Sequence, residues 1–138
     1  MSLTTYLDIT DLESNQNTPE VTVNDAHDIL CAAVGGVLVH NMASDADYTL
    51  ATTGTPPYEW HNMVINITDT TSPQTLTATR NIIVPSKKKV YVLKNDTAQS
   101  LVLASPAASP VTGITVATGK TAILYFDGTN VIRLTADA

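Results

Sequence analysis

The sequence predicts a mainly β domain: an antiparallel β-sandwich or barrel-like unit with one N-terminal α-helix and an extended N-terminal arm. Three observations predict it. From Val37 onward, short runs rich in Val, Ile, Thr and Tyr alternate with turns of Pro, Gly, Asn and Asp. A single segment before those runs carries helical spacing. No second helix is available to cross between parallel strands, so antiparallel pairing is expected.

Residues 1–20, "MSLTTYLDITDLESNQNTPE", place apolar side chains at Leu3, Tyr6, Leu7, Ile9 and Leu12 and then turn polar. They read as an arm and a linker. Ordering each backbone residue costs roughly 1–2 kcal/mol, so an ordered arm needs something to hold it. Residues 21–138 read as one β-rich domain. It opens on a helix over 24–34, with Thr22 or Asn24 as cap, Asp25 and Asp28 in the first turn, and Gly35-Gly36 as the stop. Val23, Ala26, Leu30, Ala33 and Val34 share a face that would lie on a sheet. Strands are expected over 37–42, 47–51, 58–68, 74–85, 89–96, 100–105, 113–117, 122–127 and 131–136, with "SPAASPVTG" as a connecting loop. The last two flank Asp127-Gly128-Thr129-Asn130, a turn whose glycine supplies positive φ.

The chain of 138 residues suits one domain. Only 14% of it is charged, against roughly 25% in an average soluble domain. A surface so poor in ions favours a subunit covered by copies of itself or by a partner. The net charge of −6 argues against binding a phosphate backbone, so no nucleic acid is expected. Cys31 is the single cysteine, which excludes an intramolecular disulfide framework. No run approaches the roughly 20 apolar residues of a membrane span, and the start lacks a secretory signal, so no membrane is expected and synthesis is placed in a cytosol.

Catalytic and metal patterns are weak. Gly119-Lys120-Thr121 ends like a phosphate-binding loop, but five residues rather than four separate Gly113 from Gly119, and a strand follows. His27 and Cys31, four apart on the helix, form half a metal site without a second half. Asp45 and Asp47 lack the register of a calcium loop. No G-x-S-x-G elbow is present, and nothing ties His27, His40 or His61 to a nucleophile. We therefore expect no enzyme, no cofactor and no metal. Lys87, Lys88 and Lys89 form the one basic cluster and read as a hairpin end, or as an electrostatic contact with an acidic neighbour. Tyr58 and Trp60 read as core fillers, or as a face for a glycan.

Three stretches carry a resemblance. "VTVNDAHDILCAAVGGVLV" resembles the "VTVNEA" helix and following strand of small phage virion proteins and fibre segments. "LTATRNIIVPSKKKVYVLKNDT" is similar to that family's strand, proline turn and "Y-V-x-x-N-x-T" strand. "GITVATGKTAILYFDGTNVIRL" resembles its closing "L-Y-x-D-G-T-N-V" hairpin. The resemblance implies a β-rich virion module, commonly a homotrimer, and with this short length a capsid decoration (cement) protein on the outer capsid surface of the virion. Its partners would then be further copies of itself and the major capsid protein. Leu3, Tyr6, Leu7, Ile9 and Leu12 would dock the arm on the shell. Strand alternation sends Ile123, Tyr125 and Asp127 to one face and Leu124 and Phe126 to the other, so the hairpin asks to be covered twice. Leu124, Phe126, Val131, Ile132 and Leu134 are the expected subunit interface. The alternative is a head- or tail-fibre component that binds a host receptor or glycan through Tyr58 and Trp60.

Overall fold

The computed structural model describes residues 3–4, 6–70, 75–106 and 113–138. It places helix α1 at Pro19–Gly35, followed by strands β1 (Val37–Asn41), β2 (Tyr48–Thr49), β3 (Val64–Thr68), β4 (Arg80–Ile83), β5 (Lys89–Asp96), β6 (Leu101–Ala104), β7 (Gly113–Val116), β8 (Thr121–Phe126) and β9 (Val131–Arg133). Each strand lies inside a run that the sequence marked as a strand, except that β8 starts one residue earlier, at Thr121. The runs over 58–68 and 74–85 are shorter than expected. Glu59–His61 forms a 3-10 turn before β3, and β4 begins only at Arg80. The loop over 105–113 falls mostly outside the described residues.

Pairing departs from the antiparallel expectation. The strands form two sheets, ordered β1-β3-β5-β8-β9 and β2-β4-β6-β7, and no closed barrel. β1, β3 and β5 are parallel to one another, as are β2, β4 and β6, while β5–β8, β6–β7 and β8–β9 are antiparallel. The cause is the route of the chain. From β1 to β6, successive strands alternate between the sheets, so each return to a sheet runs in the same direction as before. A strand of the opposite sheet does the crossing work that a helix does in α/β folds. The closing strands then double back, β7 against β6 and β9 against β8, while β8 pairs with the more distant β5.

Side chains from both sheets meet in a single core. Ile65, Ile67, Tyr91, Leu93, Leu124 and Phe126 come from the five-stranded sheet and Ile82, Leu101, Leu103 and Val116 from the other, with Trp60 and Met42 filling the end. At the β8–β9 turn, Gly128 has φ +99, and the Asp127 carboxylate accepts the backbone N–H groups of Thr129 (2.8 Å) and Asn130 (2.7 Å). Those bonds hold the Asp127 carboxyl below its usual range.

Helix α1 begins five residues before its expected start. Thr18, not Thr22 or Asn24, is its N-cap, and Pro19 occupies the first turn, where its missing N–H costs nothing. The buried face is Thr22, Ile29 and Ala32, whereas Leu30 and Val34 of the expected face are exposed. The helix end explains this rotation. The Ala32 carbonyl accepts both Gly36 N–H and Met63 N–H at 2.9 Å, fastening the last turn to the chain entering β3. A Cβ on Gly36 would stand 2.5 Å from Asn62 Oδ1 and 2.7 Å from the Ala32 backbone, so only glycine fits there.

The arm is not extended. Leu3 bridges Thr10, Thr4 N–H donates to the Ile9 carbonyl (2.9 Å), and Ile9 N–H returns a bond to Thr4 Oγ1 (3.0 Å). Asp8, at φ +53, turns this loop back onto the body, where Leu7 packs against the core.

Candidate functional site

The outward face of the five-stranded sheet is the feature that chemistry alone would not leave to water. Register builds it row by row. Val37, Val64, Val92 and Ile123 lie side by side across β1, β3, β5 and β8, and Leu134 N–H bonds the Ile123 carbonyl at 2.9 Å, extending the row. A second row sets Val90 beside Tyr125 and Ile132. Alternation along β8 buries Ala122, Leu124 and Phe126 and turns Ile123 and Tyr125 outward. Val37 is 58% exposed, Val39 64%, Ile132 43% and Leu134 55%. A cavity of about 290 Å³ opens where this face meets the C-terminal residues, lined by Val92, Ile123, Thr135, Ala136 and Ala138 among others. Another of about 410 Å³ lies over Leu30, Cys31, Val34 and Gly35 of α1.

The expected interface residues divide accordingly. Leu124 and Phe126 are fully buried and Val131 nearly so, which makes them core of this chain and removes them from any subunit contact. Ile132 and Leu134 are on the surface. The correction follows from parity: opposing residues of β8 and β9 share a face, so Val131 goes inward with Phe126 while Ile132 goes outward with Tyr125. Val37 and Val39 were not singled out in the sequence. The signal was there, since Val37-Leu38-Val39 has an apolar residue for each face.

The arm residues also divide. Leu3, Tyr6 and Leu12 are more than half exposed, whereas Ile9 is half-buried and Leu7 is the anchor. His61, a residue the sequence gave no role, fastens that anchor. Its ring is fully buried; Nδ1 accepts Tyr58 N–H at 2.9 Å, which leaves Nε2–H to donate to the Leu7 carbonyl at 2.9 Å. Burial, ahead of the opposing Leu7 bond, lowers the His61 pKa and favours the neutral ring. Lys87 adds an ion pair to Asp8 at 2.6 Å.

The basic cluster is therefore three separate groups. Lys87 holds the arm. Lys88 is exposed near the Asp127 turn. Lys89 faces inward, only 8% exposed, and its Nζ donates to the Asn62 carbonyl (2.8 Å) and the Val90 carbonyl (3.2 Å) while lying 4.3 Å from the centre of the Tyr91 ring. Burial lowers its pKa to about 8. The Tyr91 hydroxyl is buried and has no hydrogen-bond partner among the described residues, and burial pushes its pKa upward.

Trp60 is buried and tilted against His61, and Tyr58 stacks on the same ring at 5.1 Å, so the aromatic pair serves the core and the arm latch. Trp60 offers no face to a glycan. Across the mouth of the sandwich, the His40 and Tyr48 rings stack at 3.7 Å, and the Glu59 carboxylate accepts the Tyr48 hydroxyl (2.8 and 2.9 Å) and Ala51 N–H (2.8 Å). Burial lowers the His40 pKa against the opposing Glu59 charge, and raises Tyr48 to about 12. This cluster ties β1 to β2. Asp45 bonds Arg80 at 2.8 Å and Asp47 bonds Asn81 N–H at 2.8 Å, fastening the loop before β2 to β4. His27 and Cys31 are both exposed, and among the described residues no three His, Cys, Asp or Glu side chains come together as a metal site.

No protein-family model, curated protein or solved structure matches this chain.

Proposed function

We propose that this chain is a structural module of a phage virion, a capsid decoration protein that sits on the outer head surface as a homotrimer and stabilises the shell of major capsid protein. The observation that carries the reading is the apolar outer face of the five-stranded sheet, backed by a core of its own and so not needed for the fold. Covering the exposed parts of Val37, Val39, Ile123, Ile132 and Leu134 is worth roughly 5 kcal/mol before the entropy of association is subtracted. The low charge content and the resemblance of the closing hairpin to virion modules support the same reading.

The arm has a specific part in it. Held by His61 and Lys87, it presents Leu3, Tyr6 and Leu12 outward on a preformed loop, which reduces the ordering cost of docking on a neighbouring protein. The experiment is attachment to undecorated heads. Full-length protein should bind, and a variant lacking residues 1–17 should fold and self-associate but lose occupancy. Equal occupancy of the two proteins would refute the arm's role, and failure of the full-length protein to bind any head would refute the reading itself.

A further inference from the structure

A sandwich of two open sheets has four edge strands, here β1 and β9 on one sheet and β2 and β7 on the other. Three of them carry a device that blocks pairing with another chain. β2 is only two residues long. β7 has the Thr115 carbonyl capped by the Arg133 guanidinium. β9 is three residues long, carries the Arg133–Asp137 ion pair, and gives way to a bulge, since Leu134 pairs with Ile123 and the chain rejoins β8 only at Ala138 against Thr121.

β1 has none of these. It is five residues long, "VLVHN", without proline or a formally charged side chain, and among the described residues no strand lies on its outer side. Val64 N–H bonds the Gly36 carbonyl and Met42 N–H bonds the Thr68 carbonyl, so the even-numbered backbone groups face β3. Those of Val37 and Val39 point away from the sheet, beneath two of the most exposed large hydrophobic side chains among the described residues.

We infer that β1 is a contact between two copies of this chain, paired antiparallel across a two-fold axis at Val39. A second copy fits for two reasons. A head-to-tail contact needs two different open edges, and among the described residues there is one; an open edge that meets its own copy closes the assembly. The edge strand and the helix end before it also carry no formal charge of their own: Leu30 to Met42 contains no Asp, Glu, Lys or Arg. The carboxylate beside the strand, Glu59, lies 4.0 Å from His40, whose parity is that of the core face, so two chains of net charge −6 can approach along the outer side of β1 without opposing like charges directly. Leu30 and Val34, exposed on the helix that leads into β1, widen the same uncharged surface. The inference does not depend on the virion reading; its contact is made by the backbone edge of β1, and Val37 and Val39 border both that edge and the sheet face.

Two variants test it. Val39→Pro removes an N–H that β3 does not use, so the chain should fold with unchanged circular dichroism while its mass by sedimentation falls to half. Val39→Cys in a Cys31→Ser background should form a covalent dimer under mild oxidation, because opposed residues of an antiparallel pair bring their Cα atoms to about 5 Å, within disulfide range. If Val39→Pro fails to fold, the cysteine variant decides alone. A folded Val39→Pro protein of unchanged mass, or no cross-link at position 39, would overturn the inference; so would a wild-type chain that stays monomeric and captures a foreign strand at β1.

Discussion

The two sheets of the sandwich share one core but differ on their outer faces. On the four-stranded sheet the outward positions are Thr49, Asn81, Ile83, Val102, Ala104, Gly113 and Thr115; Ile83 and Val102 are half-buried and Ala104 is buried, so none of the exposed large hydrophobic residues lies on its described strands. The five-stranded sheet turns Val37, Val39, Ile123 and Ile132 outward, with Leu134 beside them. Solvent treats both faces alike, so folding of the single chain gives no reason for the difference. The four-stranded sheet keeps its outward apolar residues half-buried or buried, and the five-stranded sheet leaves Val37, Val39, Ile123 and Ile132 open to water around the polar pair Asn66 and Lys94.

Breaking the inner side of the five-stranded sheet should cost most. Phe126→Ala removes a fully buried ring and should destabilise the chain by about 3–5 kcal/mol in urea unfolding. Ile132→Ala, one strand away but on the outer face, should change the stability of dissociated chains by less than about 0.5 kcal/mol. A similar cost for both would erase the distinction between the faces. Gly36→Ala, which forces a methyl group against Ala32 and Asn62, should cost about 1–3 kcal/mol and loosen α1 from β3.

Lys89 is a charged residue on the inner face, and its replacement sharpens the comparison from the other direction. Its pKa is about 8 in the fold against 10.5 when exposed, so between those values the unfolded chain binds the extra proton and stability rises with pH. Lys89→Met should therefore stabilise the protein below pH 8, by about 1–2 kcal/mol after loss of the bond to Asn62, and the gain should fade toward pH 10.5. A gain independent of pH would contradict the buried ammonium.

The smallest effect concerns the arm latch. His61 and His40 both have pKa values lowered from 6.5 by burial, so the unfolded chain takes up protons first as pH falls below about 6.5. Stability is full above that value and declines as pH drops through the folded pKa values. Melting temperature should fall between pH 7 and 5, and a His61→Gln, His40→Gln double variant should flatten that profile.

What was legible in the sequence was local. The Asp127–Asn130 turn writes itself in neighbouring residues, and the nine strands follow from composition and Pro or Gly punctuation. Partnership between β1, β3 and β5 is not local: Val37 meets Val64 and Val64 meets Val92 only because the chain visits the other sheet in between, and no spacing rule encodes that detour. The site was half legible for the same reason. Alternation sets Ile132 and Leu134 on one face and Val131 on the other, but which of the two faces turns inward depended on the pairing of Val131 with Phe126. His61 was illegible as a latch because the Leu7 carbonyl it holds is 54 residues away.

The central claim is that the outer face of the five-stranded sheet exists to be covered. A matched pair of lysine substitutions tests it most directly: Ile132→Lys on that face and Val102→Lys on the outer face of the four-stranded sheet, each compared with the native chain by sedimentation equilibrium. The account predicts that the native chain and Val102→Lys sediment as the same oligomer while Ile132→Lys falls to a smaller species with its fold intact. Equal masses for all three proteins would contradict it.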